Sequence, residues 1–156
     1  NHDHWTDPGL IRNCLELSGA IVLANQVLPI ERGGSYLYIA GLDDVMVGKE
    51  DLSSMLSGLP DAGKAILLAH EPDYADVSAR TERFSLQLSG HAHGGQIILP
   101  GRGALYLPSY AKKYPAGLYN IYGMLLYSNS GLGTAELQFR YKCRPEIAVF
   151  TLNSVN

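Results

Sequence analysis

Two histidines stand two residues apart within a glycine-rich stretch, Ser89-Gly90-His91-Ala92-His93-Gly94-Gly95-Gln96. Imidazole is the commonest metal ligand among side chains near neutral pH, and glycine lets a backbone approach an ion or a phosphate closely. Alternate residues of an extended loop point to opposite sides, so the two rings would reach two ions, or one ion if the loop curls. The competing interpretation is a pair of histidines on a flexible surface loop.

Other polar residues follow further apolar runs. His70 comes directly after the run Ala65–Ala69, and Asp43 and Asp44 follow the run Tyr36–Ala40. His70 is a candidate metal ligand, although a lone histidine at a strand end is more often a hydrogen-bonded structural residue. A turn that ends a strand explains the two aspartates as well as metal binding does.

The remaining histidines belong to the patch Asn1-His2-Asp3-His4-Trp5, which we expect to be a polar loop. Asn1 offers an amide oxygen to a divalent ion, and His2 is a candidate general acid for a leaving alkoxide. Asp3 is a candidate to hold that imidazole in one tautomer. His4 is expected to be exposed, and Trp5 to pack beside the site. A frayed segment with scattered polar residues is the alternative.

Short strands and a few helices must position these residues. Asp7 is expected to cap a helix that begins at Pro8, buries an apolar stripe and ends before Gly19. Glu50–Leu56 is predicted to be a short helix, and Asp73–Ala79 a single helical turn. Strands are predicted at Ala20–Ala24, Val27–Glu31, Tyr36–Ala40, Ala65–Ala69, Phe84–Ser89, Ile97–Leu99, Gly117–Ile121, Met124–Ser128 and Ile147–Leu152. If the strands before His70 and His91 are neighbours, both imidazoles face one crevice.

Composition limits the class of protein. The 156 residues are 46% hydrophobic, which predicts one globular domain over residues 1–156. A net charge of −3 provides no basic field for nucleic acid, so no such partner is expected. No apolar run reaches the ~20 residues of a membrane span, and no signal peptide is visible.

Four stretches, taken in order, resemble the calcineurin-like metallophosphoesterases, and most of all their bacterial membrane- or wall-associated branch. These stretches are Asn1–Trp5, Ala40–Asp44, Leu67–Asp73 and Leu88–Ile97. Tyr119, Ser130–Gly133 and Arg144–Ile147 also resemble that branch. The resemblance covers nearly the whole chain, and its specificity comes from the combination of motifs.

The resemblance implies an α/β fold, as the C-terminal half of a four-layer αββα sandwich of mixed β-sheets flanked by helices. It implies a hydrolase of phosphomonoesters or phosphodiesters with two divalent ions, drawn from Mn, Fe, Zn and Ni. A metal-bridging hydroxide would attack phosphorus in line. Asn1, His70 and His91 would bind the second ion and His93 the first, with His2 as general acid or phosphate-binding imidazole.

The chain departs from the family pattern in one respect. The family's Asp-x-His and Gly-Asp-x-x-Asp motifs, which precede Asn-His-Asp, are not in these residues. His93 would then be the one family ligand for the first ion, and one imidazole cannot form a closed site. We therefore expect half a centre that holds one ion or none alone, and an uncovered apolar sheet face that favours a homodimer or pairing with a missing N-terminal half. Membrane association would need a segment upstream of Asn1, and the resemblance favours the bacterial cell envelope over the cytoplasm.

Alternatives to a phosphoesterase remain. A non-catalytic binding or assembly module of the same fold is one. A metallo-β-lactamase-like hydrolase is another, but His2-Asp3-His4 does not fit its His-x-His-x-Asp-His motif. The loop Pro100–Pro115 is either solvated or contacts a phosphate-bearing or lipid headgroup through Arg102, Tyr106, Tyr110, Lys112, Lys113 and Tyr114.

Overall fold

A computed structural model describes residues 1–153 as a six-stranded mixed sheet flanked by short helices, with a separate two-stranded ribbon. The helices are α1 (His2–Trp5), α2 (Pro8–Leu17), α3 (Leu52–Ser57) and α4 (Ala75–Ser78), with 3-10 turns at Pro72–Tyr74, Ala79–Thr81 and His93–Gly95. The strands are β1 (Gln26–Arg32), β2 (Ser35–Gly41), β3 (Ala65–Leu68), β4 (Phe84–Ser89), β5 (Ile98–Leu99), β6 (Gly103–Ala104), β7 (Gly117–Ile121) and β8 (Met124–Ser128). The predicted α/β class is confirmed.

The order of the large sheet is β1-β2-β3-β4-β8-β7. Its four central strands, β2, β3, β4 and β8, are parallel, and β1 and β7 close the two edges as antiparallel hairpin partners. The carboxyl ends of the four parallel strands therefore meet at one edge of the sheet, where open α/β sheets place their sites. The second sheet among residues 1–153 is the two-stranded ribbon of β5 and β6.

The two faces of the sheet differ in burial. One face carries the core, in which Leu67 and Leu126 are fully buried with Met55 of α3 against them. The opposite face is apolar and partly open, since Ile66 and Leu86 are buried there. Leu68 and Leu118 lie there in one cross-strand row through Leu88 and Tyr127, and they are 39% and 62% exposed.

Helix α2 forms as predicted but buries nothing. The Asp7 carboxylate accepts a hydrogen bond from the Leu10 backbone nitrogen at 3.0 Å and caps the helix. The predicted core stripe is wrong, because no residue of α2 is buried and Leu17 is 89% exposed. Within residues 1–153, Ile11 is the one half-buried residue of that stripe, and the others are exposed.

Two predicted strands are absent from the described part of the chain. Ala20–Ala24 passes over β2 without pairing. Leu23 packs so closely on Gly41 that a Cβ on Gly41 would lie 2.3 Å from the Leu23 Cβ. The run therefore packs across the strand instead of joining its edge. Ile147–Leu152 is also unpaired, with Val149 88% exposed.

The predicted exposed loop Pro100–Pro115 is held in place at its C-terminal end. The Asp73 carboxylate accepts hydrogen bonds from the backbone nitrogens of Lys112 and Lys113 at 2.9 and 3.0 Å. The Lys113 ammonium forms an ion pair with Asp76 at 2.7 Å. This lysine is therefore engaged within the fold. No helix among residues 1–153 has the length and apolar character needed to cross a bilayer.

Candidate metal centre

His70 and His91 meet at the carboxyl edge of the sheet. Their strands, β3 and β4, are parallel neighbours, with Leu68 opposite Leu88. The backbone nitrogens of Gly90 and His91 both donate to the His70 carbonyl oxygen at 3.1 Å. The ring centroids lie 4.9 Å apart, so the predicted shared crevice is confirmed.

The surroundings of His91 fix its tautomer. Its Nε2 lies 3.0 Å from the carbonyl oxygen of Ser109. A carbonyl oxygen can only accept, so Nε2 carries the hydrogen and Nδ1 keeps its lone pair. A histidine held in this way is oriented for metal binding through its other nitrogen.

His93 sits in a strained part of the loop. Its backbone is left-handed with φ of 50°, and its buried Nδ1 has no hydrogen-bond partner among the described residues. The His93 carbonyl oxygen accepts from Arg140 Nη1 at 3.1 Å and from the Cys143 thiol at 3.3 Å. Gly94 has φ of +62°, and a Cβ there would lie 2.5 Å from Ser130 Oγ. The later segment thus packs so closely that only glycine fits.

The first residues fold differently from the predicted loop, because His2–Trp5 form the short helix α1. The Asn1 backbone nitrogen contacts the buried Asp44 carboxylate, and the Asn1 Oδ1 is buried without a partner among the described residues. The His2 and Trp5 rings lie 5.0 Å apart. The Asp3 side chain is exposed and forms no hydrogen bond with a described residue, so its contact with His2 stays a prediction.

His4 is half-buried, and the expectation that it is exposed is wrong. Its Nε2 lies 2.9 Å from Asp43 Oδ1, which ties α1 to the turn after β2. Asp43 Oδ1 also accepts from the Asp44 nitrogen at 2.8 Å, and Asp44 Oδ1 accepts from the Val47 nitrogen at 2.9 Å. The turn interpretation therefore accounts for both aspartates.

A buried carboxyl, Glu71, was missed as a site neighbour. It is fully buried, its Oε1 has no partner within residues 1–153, and its Oε2 accepts from the Val45 nitrogen at 3.4 Å. Burial, and secondly the negative charge of Asp44, raise the pKa of Glu71 to about 7. The one signal in the sequence is its position directly after His70.

The site histidines are kept neutral by their surroundings. Burial lowers the pKa of His70 to about 4, with the neighbouring His91 acting in the same direction. Burial also lowers the pKa of His91. The pKa of His93 is lowered by burial and then by the guanidinium of Arg140. Neutral imidazole is the form that binds metals.

Gln96 organises the loop that follows the histidines. Its side-chain nitrogen lies 3.0, 2.7 and 3.2 Å from the carbonyl oxygens of Ala135, Leu137 and Phe139. Its side-chain oxygen accepts from the Ala135 nitrogen at 2.8 Å. Arg140 and Gln96 thus fasten the segment after β8 to the histidine loop. Their partners are distant backbone atoms, so no sequence pattern indicates these contacts.

The donor atoms suit a divalent ion in type but are few in number. A buried amide oxygen on Asn1 and a buried imidazole nitrogen on His93 have no hydrogen-bond partner within residues 1–153, and both are metal-ligand atoms. No group of three His, Cys, Asp or Glu side chains converges to hold an ion anywhere in residues 1–153. The described residues therefore offer atoms of the kinds that bind metals, but they do not form a closed site.

Comparisons with known proteins identify the family. The chain is 42% identical to the Bacillus subtilis metallophosphoesterase YkuE over its whole length and covers 55% of that protein. It is 33% identical to the Escherichia coli phosphodiesterase YaeI over 92% of its length, covering 51% of that protein. A Danio rerio transmembrane protein with a metallophosphoesterase domain is 30% identical over 97% of the chain, which covers 37% of it.

No family model and no solved structure matches the chain. The chain spans about half the length of the two bacterial relatives. Both relatives are named as phosphoesterases, which is the class that the order of the motifs predicts. In the described residues, histidines lie at the edge of the sheet, as the motifs predict. The comparisons therefore support the resemblance of this chain to the calcineurin-like metallophosphoesterases.

Proposed function

We propose that the chain supplies one side of a dinuclear metal centre in a phosphoesterase. The observation that supports this most directly is the meeting of His70 and His91 at the sheet edge. Beside them lie buried donor atoms of Asn1 and His93 that have no partner in the described part of the chain. The Escherichia coli relative is named a phosphodiesterase. Phosphomonoesters and phosphodiesters are the proposed substrate class.

Each ligand has a proposed place. Asn1, His70 and His91 would hold one ion, and His93 the other. When bound, such ions polarise phosphoryl oxygens and activate water. The lowered pKa of His70 keeps it available as a ligand down to acidic pH, and the Ser109 carbonyl holds the His91 ring in place. The proposed metals are Mn, Fe, Zn and Ni.

His2 is proposed as the group that binds phosphate or protonates the leaving alkoxide. It lines the same cavity as His70, His91 and His93 and is not needed as a ligand in this arrangement. Asp3 is proposed to support it. Neighbouring residues on a helix do not face each other, so Asp3 would have to act through a change in α1.

Metal analysis tests the proposed ligands. The chain loaded with Mn²⁺ is compared with His70→Ala and with His4→Gln, which keeps a hydrogen-bonding group beside Asp43. We expect His70→Ala to lose bound manganese and His4→Gln to retain it. Equal manganese content in both variants would contradict the ligand assignment.

The remaining ligands are proposed to come from a second copy of the chain or from a further half of the protein. Open apolar surface supports this, since Leu68, Leu118 and the α2 residues Leu10 and Leu17 are all exposed. The same surface supports the second candidate, a non-catalytic assembly module. We expect only trace hydrolysis of bis-p-nitrophenyl phosphate by the monomer, with activity that falls on dilution. Robust, concentration-independent turnover by a monomer contradicts this.

We also propose the bacterial cell envelope as the location. The resemblance to envelope-associated phosphoesterases supports it, and the Danio rerio relative is named a transmembrane protein. Fractionation of cells that express the tagged protein checks it, and recovery from the cytosolic fraction alone contradicts it.

A further inference from the structure

A groove extends from the histidines along the surface of the molecule. It is a cavity of about 390 Å³ whose inner end is formed by His70, His91 and His93. Beyond the imidazoles, its walls are mainly apolar, with Gln96 and Glu136 as polar members, and the large apolar residues are Trp5, Ile97, Leu105, Tyr106, Pro108 and Leu137. The polar and apolar parts are continuous, so one ligand can occupy both.

Both walls of the groove are fixed to the loop that carries the histidines. On one side, the Leu105 nitrogen donates to the Ile97 carbonyl oxygen at 2.8 Å, which extends the β5–β6 ribbon. On the other side, the Gln96 side chain holds the backbone of Ala135 and Leu137. A groove held in this way is preformed, which limits the ordering cost when an apolar group binds.

The apolar side chains at the rim are open to solvent. Tyr106 is 72% exposed, Leu105 57%, Trp5 56% and Leu137 49%. Four large apolar residues grouped around one cavity indicate a binding surface. The walls include no lysine or arginine among the described residues, and they include the carboxylate of Glu136. A polyanion such as a nucleoside diphosphate would find no cation there to pair with its second phosphate.

We propose that this groove binds the hydrocarbon chain of an amphipathic phosphate ester, with its phosphate at the histidines. The inference rests on the proposed phosphoesterase function and names the substrate class for that site. The branched side chains of Ile97, Leu105 and Leu137 offer a chain continuous apolar contact.

The groove contains its own reporter, because Trp5 is the only tryptophan in the chain. Binding is followed by tryptophan fluorescence with alkylphosphonates from butyl to decyl, and with alkanols of the same lengths, each with and without Mn²⁺. We expect the dissociation constant to fall roughly fourfold per added methylene, as expected for burial of apolar surface. Leu137→Asp and Leu105→Asp should flatten this dependence. Leu118→Asp, an exposed leucine on β7 outside the groove, is the matched control.

The two ligand series separate the inference from the function beneath it. A chain-length dependence that the groove variants abolish and Leu118→Asp retains supports the groove, even if phosphonates bind no better than alkanols. Phosphonates that bind no better than alkanols would count against the phosphoesterase proposal but not against the groove. An affinity that does not rise with chain length, or a rise that survives both groove variants, overturns the groove, whatever the hydrolysis assays give.

Discussion

His70 and His91 are held by the sheet, whereas Asn1 and His2 are held by a four-residue helix. The first pair follows adjacent parallel strands, and two backbone hydrogen bonds at 3.1 Å join their loops. The second pair depends on α1, in which no residue is buried. Both regions line one cavity, yet only one of them has the rigidity of the core beneath it.

The difference assigns different physical roles to the two regions. Isolated helices shorter than ~12 residues are marginal in water, so α1 depends on its contacts, chiefly the pairing of His4 with Asp43. The sheet-edge histidines are preorganised ligands. The α1 residues lie on a less rigid element, where a side chain that acts on a bound substrate can change its position. Variants of each region should therefore differ in what they impair.

The largest expected effect compares His91→Ala with His2→Ala in the metal-loaded, assembled enzyme. Loss of a ligand from the rigid region should lower metal affinity about 100-fold or more, since even residues that only orient ligands contribute 10–100-fold. Loss of His2 should leave metal content unchanged and slow turnover by about 10²–10⁴-fold, the range of general acid catalysis. Metal analysis and steady-state kinetics give both values. Equal metal loss in the two variants would contradict the division of roles.

The second prediction concerns pH in the metal-free chain. The pKa of His70 falls from 6.5 to about 4 on folding, so the unfolded chain binds more protons between these values and acid should cost about 3 kcal/mol of stability. Glu71, with its pKa raised to about 7, acts oppositely, because the folded chain binds more protons from 4.5 to 7. The contributions of His70 and Glu71 to the pH dependence of stability should therefore nearly cancel.

Glu71→Gln breaks the cancellation. Denaturant unfolding from pH 4 to 7 with EDTA should then show stability that is fully present above pH 6.5 and lost as the pH falls towards 4. His70→Gln should show the reverse, with stability that falls as the pH rises from 4.5 to 7. If the stability of both variants does not change with pH, burial at the sheet edge does not shift the pKa values of these two groups.

The third prediction separates backbone strain from close packing in the histidine loop. Gly94 and Gly101 have similar positive φ values, +62° and +73°, but only Gly94 is crowded, by Ser130 and Cys143. Gly101→Ala should cost about 1 kcal/mol for its left-handed backbone. Gly94→Ala should cost ~2 kcal/mol more because of overpacking. Denaturant unfolding measures both, and equal costs would show that the loop can move away from the later segment.

The smallest expected effect concerns the attachment of α1. His4→Ala removes a half-exposed pair with Asp43 and should cost under about 1 kcal/mol of global stability. Amide hydrogen exchange should increase in α1 and stay unchanged in β3 and β4. His4→Gln should restore much of the protection. Increased exchange in the central strands would show that the two regions are coupled.

Regular local patterns allowed much of the fold to be predicted. Phe84–Ser89 was predicted with its observed bounds, as were both strands of the Tyr122-Gly123 hairpin, because alternation and turn residues act over a few positions. The Asp7 cap and Pro8 start of α2 were also predicted. Burial was not. The α2 stripe and Ala20–Ala24 have the expected apolar residues, but whether a neighbouring element covers or pairs with them is decided elsewhere in the chain.

The candidate site divides in the same way. The order of its motifs predicted that His70 and His91 would meet, since each follows an apolar strand. The contacts of Arg140 and Gln96 were beyond sequence reasoning, because they bind backbone atoms that are about 40 residues away and that any residue type provides. The burial of Glu71 depends on the packing of Asp44 and Val45 over it, which no local pattern encodes.

Gln96 holds its partner segment only through backbone atoms of Ala135, Leu137 and Phe139. Side chains in that segment can therefore be exchanged without loss of the anchor. A lineage could change the size and polarity of this wall, and hence its ligand preference, while the imidazoles keep their positions. Selectivity and chemistry are in this sense separately evolvable, and a loop-grafting experiment on 135–139 would start from an already secured frame.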